Sequence, residues 1–94
     1  MEVFRMEKQY KITSSEGLHA RPCTLLVSAV TPFSSDVQLT YDGRSVNLKS
    51  IMGVMALGIP ADGIITISAN GSDEEAAVEK AGAVILEEGI GVEV

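Results

Sequence analysis

Residues 37–48, Val-Gln-Leu-Thr-Tyr-Asp-Gly-Arg-Ser-Val-Asn-Leu, hold the pattern that decides the fold. Apolar and polar residues alternate from 37 to 41 and again from 44 to 48, as they do in strands that bury one face. The Asp42-Gly43 pair between them is a strong signal for a two-residue hairpin turn. The segment therefore predicts two antiparallel strands.

Outside this hairpin, the sequence predicts two further strands and three helices. Residues 7–13 and 64–69 contain many β-forming residues and are predicted as strands. The first helix is predicted to begin near Ala20 and to end at Val30 or Thr31, because Pro32 follows. A second helix is predicted over residues 50–57. The remaining elements are a third helix capped by Ser72 or Asp73 and a loose tail over residues 89–94.

The order β-α-β-β-α-β-α predicts an α+β fold, with a four-stranded, largely antiparallel sheet covered on one face by three helices. Apolar residues at helical spacing are expected to face the core. On the first helix these are Cys23, Leu26, Val27 and Val30; on the second, Val54 and Leu57; on the third, Ala77, Ala81, Val84 and Ile85.

Composition limits the class of protein. A length of 94 residues predicts a single domain over residues 1–94, and a net charge of −6 argues against nucleic acid and anionic membrane surfaces as partners. The single cysteine cannot form an internal disulfide. The N-terminus shows no signal pattern, and no apolar run approaches the ~20 residues of a membrane span. We therefore expect a cytoplasmic protein without membrane insertion.

The only histidine lies in residues 17–22, Gly-Leu-His-Ala-Arg-Pro, where a loop turns into the first predicted helix. A helix start has unpaired backbone N–H groups and the positive end of the helix dipole, so it attracts anions. His19 can act as a nucleophile near neutral pH, and Arg21 can neutralise phosphate oxygens. The segment predicts a phosphate site, although a lone histidine is more often a surface or helix-capping residue.

Two motifs give the chain a resemblance to a known family. Residues 17–22 resemble the active-site signature of HPr, the histidine-containing phosphocarrier of the bacterial phosphoenolpyruvate:sugar phosphotransferase system. Residues 46–55, Val-Asn-Leu-Lys-Ser-Ile-Met-Gly-Val-Met, resemble the regulatory-serine region of its Gram-positive-type members. The resemblance covers about residues 7–89 and implies an open-faced β-sandwich.

The resemblance implies a role for each motif. His19 would accept a phosphoryl group on Nδ1 from phosphorylated Enzyme I and pass it to sugar-specific IIA domains. Arg21 and the backbone N–H groups of Ala20 and Arg21 would hold the phosphate. Ser50, by position a helix cap, would be phosphorylated by the HPr kinase/phosphorylase in carbon catabolite control. A catabolite-control transcription regulator is then a further candidate partner, and we expect a monomer.

A docking surface is expected beside these sites. Exposed apolar residues on the second helix would form it, with residues of the first helix at its border; the candidates are Thr24, Val27, Ile51, Met52 and Met55. Cys23 is interpreted as a small core residue. One histidine and one cysteine predict no metal site, and no cofactor is expected.

Two alternatives to the phosphocarrier remain. The chain could be a purely regulatory HPr-like module that acts through Ser50, although the presence of His19 speaks against this. It could also be a small hydrolase that uses His19 and Arg21. Glu16 is then the only further acid or base near His19 in the sequence.

Overall fold

The computed structural model describes residues 6–94. Residues 1–5, part of the N-terminus that was predicted to carry no signal peptide, lie outside this range. The described residues form five strands and three helices. In chain order they are β1 (Met6–Ile12), α1 (Ala20–Val30), β2 (Asp36–Tyr41), β3 (Arg44–Asn47), α2 (Ile51–Met55), β4 (Ile64–Asn70), α3 (Glu74–Glu87) and β5 (Gly91–Glu93).

The strands form one antiparallel sheet in the order β3-β2-β4-β1-β5. The hairpin of β2 and β3 is present as predicted, and both turn residues, Asp42 and Gly43, have positive φ (53° and 78°). This geometry is the one that a two-residue hairpin turn requires. The fold class is confirmed: an α+β domain fold with three helices on an open antiparallel sheet.

The number of strands was predicted wrongly. Residues 89–94 were expected to be a loose tail, but Gly91–Glu93 form β5, which pairs with β1 at the edge of the sheet. Gly91 permits this pairing, because a Cβ there would run into the carbonyl oxygen of Lys11. The apolar residues Ile90, Val92 and Val94 alternate with other residues, and the prediction did not use this strand signal.

One hydrophobic core lies between the sheet and the helices. Strand residues alternate into it, so that Tyr10 of β1, Leu39 of β2 and Ile67 of β4 are buried. The predicted helical faces are also buried, except that Val84 is only partly so. α1 ends at Val30, as Pro32 predicts. α2 ends at Met55 and is therefore shorter than the predicted helix over residues 50–57.

Gly82, in the middle of α3, has a packing reason. A Cβ at this position would overlap the hydroxyl of buried Tyr10, so only glycine lets the helix approach β1 this closely. Glycine in the middle of a helix lowers its stability by about 1 kcal/mol relative to alanine, and the close contact with Tyr10 explains why glycine is nevertheless present. Within residues 6–94, no helix is both long and apolar enough to cross a membrane.

Asp73 joins the start of α3 to the loop before β2. It occupies the predicted N-cap position, but its carboxylate makes no capping bond. The carboxylate instead accepts hydrogen bonds from the backbone N–H and hydroxyl groups of Ser34 and Ser35. These bonds, above all the one from the Ser35 hydroxyl, lower the pKa of Asp73 to about 2.

We predict that Asp73→Asn lowers the stability of the protein in a pH-dependent way. A carboxyl group whose pKa is lower in the folded state stabilises the fold above its unfolded-state pKa, and loses that contribution as pH falls through its folded-state value. The melting temperature of the variant should therefore be lower than that of the native protein at pH 7. The difference should shrink between pH 4 and pH 2. A difference in thermal melting that does not change over this range would contradict the prediction.

Candidate functional site

The loop between β1 and α1 is held by backbone hydrogen bonds. The N–H of Gly17 donates to the carbonyl of Ser14, and the N–H of Leu18 donates to the carbonyl of Ile59, both at 3.0 Å. Gly17 has a φ of +72°, and a Cβ there would meet the carbonyl oxygen of Ile59 and the backbone of Pro60. Only glycine can combine this conformation with this close approach.

The C-terminal segment holds the other end of the same loop. The carbonyl of Ile90 accepts hydrogen bonds from the N–H groups of Thr13 (3.0 Å) and Ser14 (3.4 Å). Ile90 is buried and directly precedes β5. The position of the loop that carries the histidine therefore depends on residues about seventy positions further along the chain.

His19 lies at the N-cap position of α1, as the sequence predicts. Its backbone is extended (φ −83°, ψ −168°), its carbonyl accepts the first helical bond from the N–H of Cys23, and its side chain makes no capping bond. The imidazole is thus free of the usual N-cap role. Its side chain is 39% exposed, which leaves it open to a reaction partner.

The first turn of α1 leaves two N–H groups without a helical acceptor. The first amides of a helix have no carbonyl one turn before them. Pro22 has no N–H, and the N–H of Cys23 donates to His19, so the free donors of this turn belong to Ala20 and Arg21. These are the two residues that the sequence predicts to hold a phosphate.

A shallow pocket of about 350 Å³ opens beside His19. Residues from α1, from the loop before it and from the end of α3 line it: Ser14, His19, Arg21, Pro22, Leu25, Glu88, Gly89 and Ile90. His19 and Arg21 are brought together as predicted. Sequence reasoning missed the C-terminal wall because it treated residues 89–94 as a loose tail, and it also missed Leu25, which is 39% exposed.

Glu16 lies next to the ring of His19. Its Oε1 is 3.2 Å from Nε2 of the imidazole, which is within ion-pair distance. The sequence had marked Glu16 only as the nearest acid to His19. Of the two ring nitrogens, Nε2 is therefore the one that lies beside a carboxylate.

Ser50 is the N-cap of α2, as its position predicts. Its hydroxyl accepts a hydrogen bond from the N–H of Gly53 at 3.0 Å, and its side chain is partly exposed. α1 and α2 are adjacent at this point, since the Sγ of buried Cys23 lies 3.8 Å from the carbonyl oxygen of Ile51. Cys23 is therefore the core residue that was predicted, and burial raises the pKa of its thiol.

Four of the five predicted docking residues offer accessible surface. Met52 is 82% exposed, Met55 and Ile51 are about 40% exposed, and Thr24 is exposed on α1. Val27 is only 5% exposed because it faces the core between α1 and its neighbours. The choice of Val27 as a surface residue is thus corrected, and exposed Leu25 lies on the outer side of the same helix.

The residues that the structure describes form no group of three or more His, Cys, Asp and Glu side chains able to hold a metal ion. The groups that the site does bring together are an imidazole at a helix start, two free amide donors and a guanidinium. This arrangement is typical of a protein that accepts a phosphoryl group on a histidine.

Comparison with known proteins identifies the family. The family model for the "PTS HPr component phosphorylation site" matches residues 6–87. The phosphocarrier protein HPr of Bacillus anthracis is 40% identical, with 85% of this chain and 95% of that chain covered and a TM-score of 0.78. A Mycoplasma histidine-containing phosphocarrier protein is 34% identical, with 90% and 97% covered and a TM-score of 0.88.

A third similar structure is the catabolite repression protein Crh of Bacillus subtilis, which is described as an intertwined dimer with a swapped domain. It is 46% identical, with 79% of this chain and 85% of that chain covered and a TM-score of 0.69. The chain belongs to the HPr family, the phosphocarrier proteins of the phosphotransferase system. Members of this family carry phosphoryl groups and are not catalysts, which argues against the hydrolase alternative.

We predict that Gly17→Ala is more destabilising than Gly43→Ala. Both glycines have positive φ (+72° and +78°), so both variants carry the strain of an L-residue in this region, about 1–2 kcal/mol. Only the Cβ at Gly17 meets backbone atoms, whereas a Cβ at Gly43 meets no atom within 4 Å. Overpacking should add about 1–3 kcal/mol to the loss for Gly17→Ala. Urea denaturation checks this, and equal losses for the two variants would contradict it.

Proposed function

We propose that this chain accepts a phosphoryl group on His19 from phosphorylated Enzyme I and donates it to IIA domains of sugar permeases. The observation that carries the proposal is the exposed imidazole at the start of α1, beside the two free amide donors of Ala20 and Arg21. Arg21 lines the same pocket, and its guanidinium would neutralise the phosphate oxygens. Membership of the HPr family supports both steps.

The phosphoryl group would form its bond with Nδ1 of His19. Nε2 faces Glu16, so Nδ1 is the nitrogen that can present a lone pair to an incoming phosphorus. The resulting P–N bond is labile enough to pass the group on. The positive end of the α1 dipole and the two amides would stabilise the added negative charge.

Ser50 is proposed as a second phosphorylation site, used by the HPr kinase/phosphorylase. Its hydroxyl oxygen accepts a hydrogen bond from the N–H of Gly53, so a phosphate formed there would again lie at a helix start. Met52 and Met55 follow Ser50 within α2 and are exposed. A phosphate here would therefore add negative charge beside the candidate docking surface, the exposed residues Thr24, Ile51, Met52 and Met55.

A purely regulatory role through Ser50 is the second candidate function. The 46% identity to Crh, which is described as a catabolite repression protein, favours it. A catabolite-control transcription regulator would then be the partner of the Ser50-phosphorylated form. The proposal also includes a cytoplasmic location and a single domain. A monomer stays a prediction, because the Crh relative is an intertwined dimer.

We predict that Enzyme I and phosphoenolpyruvate convert the protein into an acid-labile, alkali-stable phosphoprotein. The label should be absent from His19→Ala and present in Ser50→Ala, because only the histidine supplies the acceptor nitrogen. Radiolabelling followed by acid and alkali treatment checks this. No label on the native protein, or a label that survives His19→Ala, would contradict the phosphocarrier function and leave the regulatory alternative.

We also predict that Ser50→Asp slows phosphoryl transfer from Enzyme I about three- to ten-fold at low salt, since a negative charge at the docking surface opposes an acidic partner surface. Ser50→Ala is the matched control, because it removes the cap of α2 without adding charge. Transfer rates measured at low and high salt check this. Equal rates for Ser50→Asp and Ser50→Ala at low salt would refute it.

A further inference from the structure

Glu16 is an acidic residue in direct contact with the reacting ring. Its Oε1 lies 3.2 Å from Nε2 of His19, three residues along the same loop, and the side chains are 74% and 39% exposed. Within residues 6–94, this is the one carboxylate within ion-pair distance of the imidazole. Glu88 lines the pocket at the end of α3 and Arg21 lines it on α1, and neither forms an ion pair with the ring.

Backbone hydrogen bonds hold the loop that carries Glu16 and His19. The N–H groups of Gly17 and Leu18, between Glu16 and His19, both donate to fixed carbonyls, and Gly17 fits closely against the Ile59–Pro60 backbone. These bonds and the close packing of Gly17 fix the course of the backbone from Glu16 to His19. In this arrangement the carboxylate of Glu16 lies beside Nε2 of the ring, with Oε1 3.2 Å from that nitrogen.

We infer that Glu16 is a positioning residue for His19, which keeps the proton on Nε2 and leaves the lone pair on Nδ1. This inference rests on the proposed function, because it concerns the nitrogen that accepts the phosphoryl group. A neutral imidazole carries its proton on one nitrogen only, and a carboxylate beside Nε2 favours the form in which Nε2 is the donor. The nucleophile is then Nδ1.

The same contact favours the product of the transfer. As the lone pair of Nδ1 forms a bond to phosphorus, the bond between phosphorus and the donor breaks, and its electron pair leaves with the donor. The proton on Nε2 does not move, so the ring gains positive charge. The carboxylate of Glu16 faces that charge and stabilises it, both in the transition state and in the phosphorylated ring. When the group is passed on, the lone pair returns to Nδ1 and the ring becomes neutral again.

The expected size of the effect of Glu16 on the reaction follows from the solvent exposure of the two side chains. Both side chains are open to solvent, so the contact is screened, and pairs of this kind change an equilibrium or a rate by about two- to five-fold. Glu16 should thus tune the reaction, whereas the loss of His19 abolishes it. The backbone hydrogen bonds that hold the loop next to Glu16 are made by Gly17 and Leu18 and not by Glu16, so the side chain of Glu16 can be replaced without removing them.

The experiment compares the native protein with Glu16→Ala, Glu16→Gln and, as a charge control, Glu87→Gln. Glu87 is an exposed acid at the end of α3 that lies outside the pocket. Two quantities are measured on each: the ratio of the two ring tautomers of His19 by ¹⁵N NMR, and the rate of phosphorylation by Enzyme I. The tautomer ratio is a readout that a merely structural role of Glu16 would not change.

Glu16→Ala should raise the Nδ1–H tautomer and slow phosphorylation about two- to five-fold. Glu16→Gln keeps an acceptor beside Nε2, so it should recover the tautomer ratio while the rate recovers only in part, because the negative charge is missing. Glu87→Gln should match the native protein in both. An unchanged tautomer ratio and rate in Glu16→Ala overturns the inference. If the native protein takes no phosphate at all, the proposed function fails, while the tautomer ratio still decides the role of Glu16.

Discussion

The structure depends on how the backbone between Thr13 and His19 is fixed. Its N–H groups donate to two distant carbonyls, that of Ile59 on one side and that of Ile90 on the other. Gly17 adds a steric condition, since its positive φ and its contact with Ile59 leave no room for a side chain. As a result, the imidazole is held at the start of α1 by the sheet and core, although it is exposed itself.

Electrostatics explains how a negatively charged protein could hold the proposed phosphate. The net charge is −6, so a general attraction for anions cannot be the cause. The proposed attraction is local: it would come from the dipole and free amides of the first turn of α1 and from the guanidinium of Arg21. Pro22 removes one amide from that turn and Cys23 uses another, which leaves the donors of Ala20 and Arg21 for the ligand.

Much of this arrangement could be predicted from sequence because its signals are local. The β2–β3 hairpin follows from alternation around Asp42-Gly43, and the position of His19 follows from a loop that meets an apolar helical pattern. β5 was missed because the alternation of Ile90, Val92 and Val94 is too short to distinguish a strand from a tail by itself, and its pairing with β1 is a long-range contact. The bonds of Asp73 to Ser34 and Ser35, and the exposure of Leu25 instead of Val27, likewise depend on tertiary packing.

The most direct measurement of the central claim is a comparison of backbone amide chemical shifts in the native and phosphorylated protein, with ³¹P–¹⁵N coupling used to locate the bond. The account predicts coupling to Nδ1 of His19 and the largest amide changes at Ala20 and Arg21, because their N–H groups would bind the phosphate. Amides in the outer strand β3 should hardly change. Coupling to Nε2, or amide changes that are as large in β3 as at the start of α1, would contradict the account.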